Sequence, residues 1–533
     1  MSEGGRLPGT IPELMAAAVD RFGDRLAVVD GDTELSYAEL ADRARRFGTA
    51  LVASGVSPGD RVALWAPNGV AWVEAALGLF EAGAVLVPVN TRFKGMEAAD
   101  ILARSRARVL VTVTDFLGTD HLALLADASA DLPELGTVVV AQGPVPAGAE
   151  GWDDFLDRAT PEARAELDRR AASCRPDDPS DILFTSGTTG VPKGVVQTHG
   201  RTLRVATDWV AMTGLTAGDR YLMVNPYFHM FGLKAGILAS VAAGATMLPE
   251  PVFDVDRVLD RVVAEGVTVL PGAPALYQSI LDHPGRDRVQ GSGLRVAVTG
   301  AADIPVELIR RMDEELPFST IITGYGLTEG GTATATSPDD DVETIATTVG
   351  RPRPGFELRV VDGRGAEVPA GEPGEILLRG TSIMSHYLDD PGATAAALSD
   401  DGWLRTGDLG LVDASGCLHI VGRSKDMFIV GGFNAYPAEI ENALVRHPQV
   451  AQAAVIGIPD RRLGEVGMAF VVLAPGATAS GDEIMGWSRD QMANYKVPRR
   501  VEVLDELPLN ATGKVMKEAL RERVEAGRPG SAP

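Results

Sequence analysis

The stretch Thr185-Ser186-Gly187-Thr188-Thr189-Gly190-Val191-Pro192-Lys193-Gly194 constrains this chain more than any other. The apolar run Ile182-Leu183-Phe184 leads in and Val195-Val196 leads out, so it reads as a loop between two strands. Its three glycines let the backbone turn and bring N–H groups close to a ligand. Four hydroxyls and Lys193 add donors without bulk and one mobile positive charge. That is the donor set of a polyphosphate cradle. The spacing is not that of the Walker loop, because Val-Pro separates Gly190 from Lys193 and no Ser or Thr follows the lysine. A flexible linker of similar composition would rarely sit between two apolar strands.

Around this loop the hydrophobic pattern alternates. A helix is expected from Ile11 to Phe22, then a hairpin turning at Gly31-Asp32, then an amphipathic helix from Ala38 to Gly55. Strand-like runs follow at Val62-Ala63-Leu64-Trp65, Ala84-Val85-Leu86-Val87-Pro88, Arg108-Val109-Leu110-Val111 and Thr137-Val138-Val139-Val140, with helix-length segments between the earlier ones. Residues 144–175, rich in Pro, Ala and charge, are expected to cross the surface. Beyond the loop come a helix from Arg201 to Met212, a helix beginning near Gly232, and strands at residues 221–224, 267–270, 294–298 and 320–322. From Glu357 short strands with glycine turns predict a small antiparallel, barrel-like unit. The fold class is therefore α/β, with parallel sheets wrapped by helices in a large N-terminal domain, residues 1–423. Residues 424–526 read as a small α+β C-terminal domain, about a hundred residues being a usual domain size. The tail, residues 527–533, is expected to lack fixed structure.

The chain has 533 residues and a net charge of −24, from 49 basic and 73 acidic side chains. That balance argues against nucleic acid and anionic membrane surfaces as partners, since both need a basic footprint. Cys174 and Cys417 are the only cysteines, which leaves no disulfide framework and no cysteine zinc site. The first residues lack a basic-then-apolar signal pattern, and the most apolar long window, Ala235 to Leu248, is too short to span a bilayer. No integral membrane contact and a cytoplasmic location are expected.

Four further stretches carry polar chemistry. Gly324-Tyr325-Gly326-Leu327-Thr328-Glu329-Gly330-Gly331 follows the strand Ile321-Ile322, at a carboxyl end where ligands bind in parallel sheets. Glu329 suits Mg²⁺, a hard ion served by one carboxylate plus phosphate oxygens, and Tyr325 offers a flat face for a base. Asp408, after the turn Gly402-Trp403-Leu404-Arg405-Thr406-Gly407, could accept both hydroxyls of a ribose, with Arg423 serving the same sugar or a phosphate. Gly431-Gly432-Phe433 opens a glycine-rich loop entering a helix near Pro437, and Asn510-Ala511-Thr512-Gly513-Lys514 presents one lysine on a loop of small residues.

Taken together, these motifs resemble the adenylate-forming superfamily of acyl-CoA synthetases, nonribosomal adenylation domains and luciferases, over about Ile11 to Leu520. The resemblance implies a large N-terminal domain, a small mobile C-terminal domain and an active site between them. It implies that Thr185, Ser186, Gly187, Thr188, Thr189, Gly190 and Lys193 hold the ATP phosphates, with Thr328 contacting them and Glu329 binding Mg²⁺. Gly300, Ala301, Ala302, Gly324, Tyr325 and Gly326 would frame the nucleotide base, and Asp408 and Arg423 the ribose. Lys514 matches the lysine needed for adenylation, Lys425 the hinge of the mobile domain, and Gly431, Gly432 and Phe433 the CoA channel.

Asn225-Pro226-Tyr227-Phe228-His229-Met230-Phe231-Gly232 corresponds to the family's gate to the acyl pocket, which His229, Phe231, Gly232, Lys234 and Gly330 would line. No carboxylate stands there to receive an α-ammonium, which argues against an amino acid as substrate. Lys234 either snorkels to water or meets an oxygen on the acid. The segment Phe231-Gly232-Leu233-Lys234-Ala235-Gly236 is similar to that of bacterial CoA ligases acting on ring-bearing propanoates of sterol breakdown. One departure is His386, where many relatives carry glycine before Tyr387. The expected reaction is an AMP-forming acyl-CoA ligation using ATP, Mg²⁺ and CoA, and a homodimer is kept as a candidate assembly. The alternative is the same adenylation with another acid or acceptor: loading of a carrier protein in trans, or nitrite activation as in diazotases. Retention of Glu329, Lys425 and Lys514 together disfavours a non-catalytic binding module.

Overall fold

Valine-rich runs buried on both faces belong inside a parallel sheet, and here they form one. The structure is a computed structural model that describes residues 8–185, 192–300, 304, 306–423, 428–435, 437–508 and 515–526. Its eight-stranded sheet runs in the order His386–Tyr387, Lys193–Thr198, Pro179–Thr185, Val85–Pro88, Arg61–Trp65, Ala107–Val113, Thr137–Gln142, Glu150–Gly151. Pairing is parallel from Pro179–Thr185 through to Glu150–Gly151, and antiparallel between His386–Tyr387 and Lys193–Thr198. Val62, Leu64, Leu86 and Leu110 are fully buried.

A second set of strands joins Arg220–Met223, Thr246–Pro249, Leu26–Asp30 and Thr33–Ser36, and a third joins Val296–Gly300, Thr320–Leu327, Gly331–Ala335 and Arg351–Pro352. The run expected as a strand at residues 267–270 forms only two parallel bridges, Val269 to Tyr221 and Val269 to Val296. It is a short seam between the two sets, ended at once by Pro271-Gly272. The expected antiparallel unit is present as Phe356–Val361, Gly374–Gly380, Leu404–Val412 and Leu418–Arg423.

Helices start where short polar side chains can cap them. Thr10 caps Ile11–Phe22, and Ser36 with Glu39 forms a capping box for Tyr37–Ala53. Residues 144–175 cross the surface, most of them exposed or half-buried, and carry the helices Trp152–Leu156 and Pro161–Ser173 as they do so. Thr160 caps the second with Pro161 in its first turn, and Leu167 is fully buried. One apolar residue per two turns anchors an otherwise charged helix, which is too weak a stripe to read from periodicity. Helix Tyr37–Ala53 crosses Val70–Glu81 where Gly48 faces Gly78, and a methyl group on Gly78 would overlap the carbonyl of Ala44.

By internal contacts the chain divides into two compact units: Met1–Thr91 with Ala98–Phe184 and Gly194–Gly422, and Arg92–Glu97 with Thr185–Lys193 and Arg423–Pro533. In the smaller unit the strands Phe433–Ala435, Phe428–Val430, Gly464–Leu473 and Val450–Asp460 are neighbours in that order, with Arg500–Val503 parallel to Gly464–Leu473. Its helices are Pro437–Leu444, Gly481–Gln491 and Lys517–Ala526. Phe428, Ile440, Val455 and Ile484 form its core. The tail, residues 527–533, lies outside the described residues.

Gly78→Ala is expected to destabilise the larger unit by about 2 kcal/mol, the usual cost of overpacking a close contact. A lower denaturant midpoint by tryptophan fluorescence checks this.

Candidate functional site

Thr185 ends one central strand and Lys193 begins the next, so the two flank the glycine-rich loop as expected. The Thr185 hydroxyl donates to the Lys193 carbonyl at 3.5 Å, closing the neck of the loop. Ser186, Gly187, Thr188, Thr189 and Gly190 lie outside the described residues, as do Ala301, Ala302, Lys425 and Lys514. On the outgoing strand, Ser385 N–H donates to the Val196 carbonyl at 3.0 Å and Leu388 N–H to that of Gly194 at 2.7 Å. Residues 385–388 therefore brace the strand that leaves the loop.

The strand expected to end near Ile322 runs on to Leu327 and carries Gly324, Tyr325 and Gly326 within it. It pairs in parallel with Val296–Gly300, Gly300 opposite Gly324, and then in antiparallel with Gly331–Ala335. Small residues are required here: a methyl at Gly300 would lie 2.8 Å from the Gly324 carbonyl, and one at Gly326 would overlap that of Gly331. The register shifts between Tyr325 and Gly326. A bulge of this kind re-aims a side chain, and the Tyr325 hydroxyl donates to Asp408 Oδ2 at 2.6 Å. Asp408 is 2% exposed, and its own N–H donates to Thr406 Oγ1 at 3.1 Å. Thus the tyrosine and the aspartate, picked out separately in the sequence, meet.

Thr328, Glu329 and Gly330 occupy the turn after this strand. Glu329 Oε1 accepts a hydrogen bond from the Tyr387 hydroxyl at 2.8 Å. Its carbonyl accepts from Met384 N–H at 2.6 Å, and the Gly330 carbonyl accepts from Ser382 Oγ at 2.8 Å. Tyr387 is a further candidate site residue, which no motif of the sequence singles out beyond the departure at its neighbour His386. That histidine is exposed and pairs with Val196 in extended backbone, a conformation with no need for glycine. Among the described residues no group of three or more His, Cys, Asp or Glu gathers to hold a metal. A carboxylate held on one oxygen by a tyrosine is a hard donor and fits a single-carboxylate Mg²⁺ position.

His229 caps the short helix Met230–Gly232, its Nδ1 accepting from Phe231 N–H at 3.2 Å. Phe231 packs edge-on against Trp209, with ring centroids 5.2 Å apart. Gly232 has room for hydrogen only, since a methyl would overlap the Pro226 carbonyl. Lys234 lies in the π-helical turn Leu233–Leu238 and does not reach water. Its Nζ stands 2.8 Å from Asp181 Oδ2, with the lysine side chain 1% and the aspartate 0% exposed. Burial lowers the Lys234 pKa, and the Asp181 charge opposes that fall. Asp181, a charge in an apolar strand, is a second residue that the sequence reading passed over.

In the smaller unit, Gly431 and Gly432 adopt φ of +55° and +85° in the turn between Phe428–Val430 and Phe433–Ala435. Two successive positive values belong to a tight hairpin turn. Phe433 stacks on Tyr495 at 4.8 Å, and the Arg92 guanidinium lies 4.3 Å from the Phe433 ring centre. Arg423 ends the strand Leu418–Arg423, and its side chain is outside the described residues. No helix among the described residues is long and apolar enough to cross a membrane.

Residues 15–388 match the family described as AMP-binding enzyme, and residues 439–514 match the AMP-binding enzyme C-terminal domain. The chain is 49% identical to the 3-[(3aS,4S,7aS)-7a-methyl-1,5-dioxo-octahydro-1H-inden-4-yl]propanoyl:CoA ligase of Rhodococcus jostii, over 97% of this chain and 99% of that protein. To the ligase of the same description from Mycobacterium tuberculosis it is 48% identical, over 96% and 98% of the two chains. Among solved structures, the amide bond synthetase McbA from Marinactinospora thermotolerans superposes with a TM-score of 0.83 at 29% identity, covering 96% of this chain and 99% of that one.

Tyr325→Phe removes the hydrogen bond to a buried carboxylate and is expected to cost about 1.5–3 kcal/mol. Urea unfolding of the purified variant, compared with the parent, measures it.

Proposed function

Since the chain belongs to the AMP-binding enzyme family and is an AMP-forming acyl-CoA ligase, we propose that its acid is a propanoate carried on an oxidised bicyclic ring. The observation that carries this reading is near-half identity, end to end, with two ligases described as acting on one such acid. The gate supports it as well, because His229-Met230-Phe231 places no carboxylate where an α-ammonium would need one.

A carboxylate is a poor acyl donor because its leaving group would be oxide. In the first half-reaction a carboxylate oxygen attacks the α-phosphorus of ATP, the bond to pyrophosphate breaks, and an acyl-adenylate forms. In the second, the CoA sulfur attacks the acyl carbonyl, the thiol proton is lost, and AMP departs. Charge builds on phosphate oxygens during the first step, so positioned donors there contribute most. In this reading the Thr185–Lys193 loop and Thr328 hold the phosphates, and Gly300, Ala301, Ala302, Gly324 and Gly326 frame the base. Tyr325 closes over the nucleotide while its hydroxyl holds Asp408, which with Arg423 receives the ribose. Glu329, oriented by Tyr387, is the residue for Mg²⁺, which when bound supplies charge neutralisation at the phosphates. Lys514 stabilises the adenylation transition state, Lys425 is the hinge between half-reactions, and Gly431, Gly432 and Phe433 line the pantetheine path. Residues 1–423 and 424–526 would be the two domains concerned. A cytoplasmic location suits the net charge of −24, which disfavours anionic membrane surfaces.

The test is AMP release by the full chain with magnesium, over a panel of ring-bearing propanoates, plain fatty acids and nitrite, with and without CoA. The ring-bearing acids are expected to give the highest kcat/KM and a CoA-dependent thioester. A preference for plain acids, or turnover without thioester, overturns the reading. Lys514→Ala is expected to lower pyrophosphate release by about 10²–10³-fold, the size seen when one transition-state donor is lost. A supplied acyl-adenylate should still be converted to thioester by that variant, as single-turnover assays would show.

A further inference from the structure

A buried ion pair adds little net stability compared with apolar residues of the same shape, yet in some proteins it selects one register among several. The pair Lys234–Asp181 occupies a place where register matters. Lys234 sits in the π-helical turn Leu233–Leu238, directly after the helix Met230–Gly232 that carries Phe231. A π turn holds an extra residue that neighbouring packing must accommodate, and such turns cluster at functional sites. Asp181 sits in the strand Pro179–Thr185, four residues before the loop neck at Thr185.

Asp181 also reaches a third element. Its Oδ1 accepts from Ser180 Oγ and from Thr202 Oγ1, each at 2.7 Å. Thr202 lies on the helix His199–Thr213, and so does Trp209, seven residues on and therefore on the same face. That helix turns Thr202 to Asp181 and Trp209 to the edge of Phe231, 5.2 Å away. One carboxylate thus ties the strand entering the phosphate loop to the turn that directly follows Phe231 and to the helix whose Trp209 packs against it.

We propose that the Lys234–Asp181 pair positions the acyl gate, fixing the π-helical turn and the Trp209 helix on the loop-bearing strand so that Phe231 stands at one setting. Lys234 is then a positioning residue, its ammonium committed to Asp181 rather than to an oxygen of the acid. The inference rests on the proposed acyl-pocket role of His229 and Phe231.

The experiment compares the full-length parent, the neutral near-isosteric double variant Lys234→Met/Asp181→Asn, and Thr202→Val, which keeps both charges and loses one hydroxyl bond. AMP release is measured against a ketone-bearing ring propanoate, its deoxygenated analogue, and ATP. The KM for both acids is expected to rise about tenfold in the double variant and about threefold in Thr202→Val, since small misplacements near a reacting group cost that much or more. The KM for ATP should stay within about twofold if the gate alone has moved. Unchanged acid KM values overturn the proposal. So does a rise confined to the ketone-bearing acid, which would mean Lys234 touches substrate, or a parallel rise for ATP. Should the double variant not fold, Thr202→Val decides alone by the same criteria. A parent enzyme without acid-dependent AMP release would refute the functional reading itself, before any variant is made.

Discussion

A parallel sheet covered on both faces leaves little room for polar chemistry inside it, and the placement of Thr185 and Lys193 at strand ends and of Thr328, Glu329 and Gly330 in a turn follows from that constraint. Val62, Leu64, Leu86 and Leu110 fill the interior of the eight-stranded sheet, so hydroxyls, glycines and charges are driven to strand ends and the turns beyond them. Thr185 and Lys193 flank their loop in this way, and Thr328, Glu329 and Gly330 form the turn after a strand. Backbone N–H groups freed at such ends are the natural ligands of phosphate.

Asp181 departs from this pattern, a charge buried inside a strand of the eight-stranded sheet. It is tolerated because Lys234, Ser180 and Thr202 meet it from three directions, and an unmet charge there would cost several kcal/mol. Two other contacts work over similar sequence distances. Tyr325 and Asp408 lie 83 residues apart, and Glu329 and Tyr387 lie 58 apart. In each, an aromatic hydroxyl donates to one carboxylate oxygen, which helps to fix how the carboxylate is turned. The antiparallel strands Gly374–Gly380 and Leu404–Val412 serve the same end by delivering Asp408 to Tyr325.

Much of this was legible beforehand where local signals were strong. The hairpin at Gly31-Asp32, the helix from Ile11 and the strand Gly374–Gly380 stand where glycine turns, caps and alternation put them. Residues 267–270 looked like a strand and became a seam of two bridges, because their apolar content satisfies burial equally well in either form. The helices inside residues 144–175 were hidden by charge, with Leu167 as the main apolar anchor of the longer one. The strand through Gly324 and Gly326 was cut short because glycine reads as a turn, whereas here it lets two neighbouring backbones approach.

The amino-acid order alone determined the α/β class, the position of the glycine-rich loop and the motif residues, because periodicity, caps and turn chemistry act over a few neighbours. Only the folded chain decided which of those residues meet. Tyr387 reaches Glu329, Tyr325 reaches Asp408 and Lys234 turns inward to Asp181 through contacts made across 58, 83 and 53 positions. Such pairings come from sheet order and helix packing, and no local pattern encodes them. A lysine on an apolar segment has the same sequence signature whether it faces water, a substrate or a buried carboxylate, and packing makes the choice.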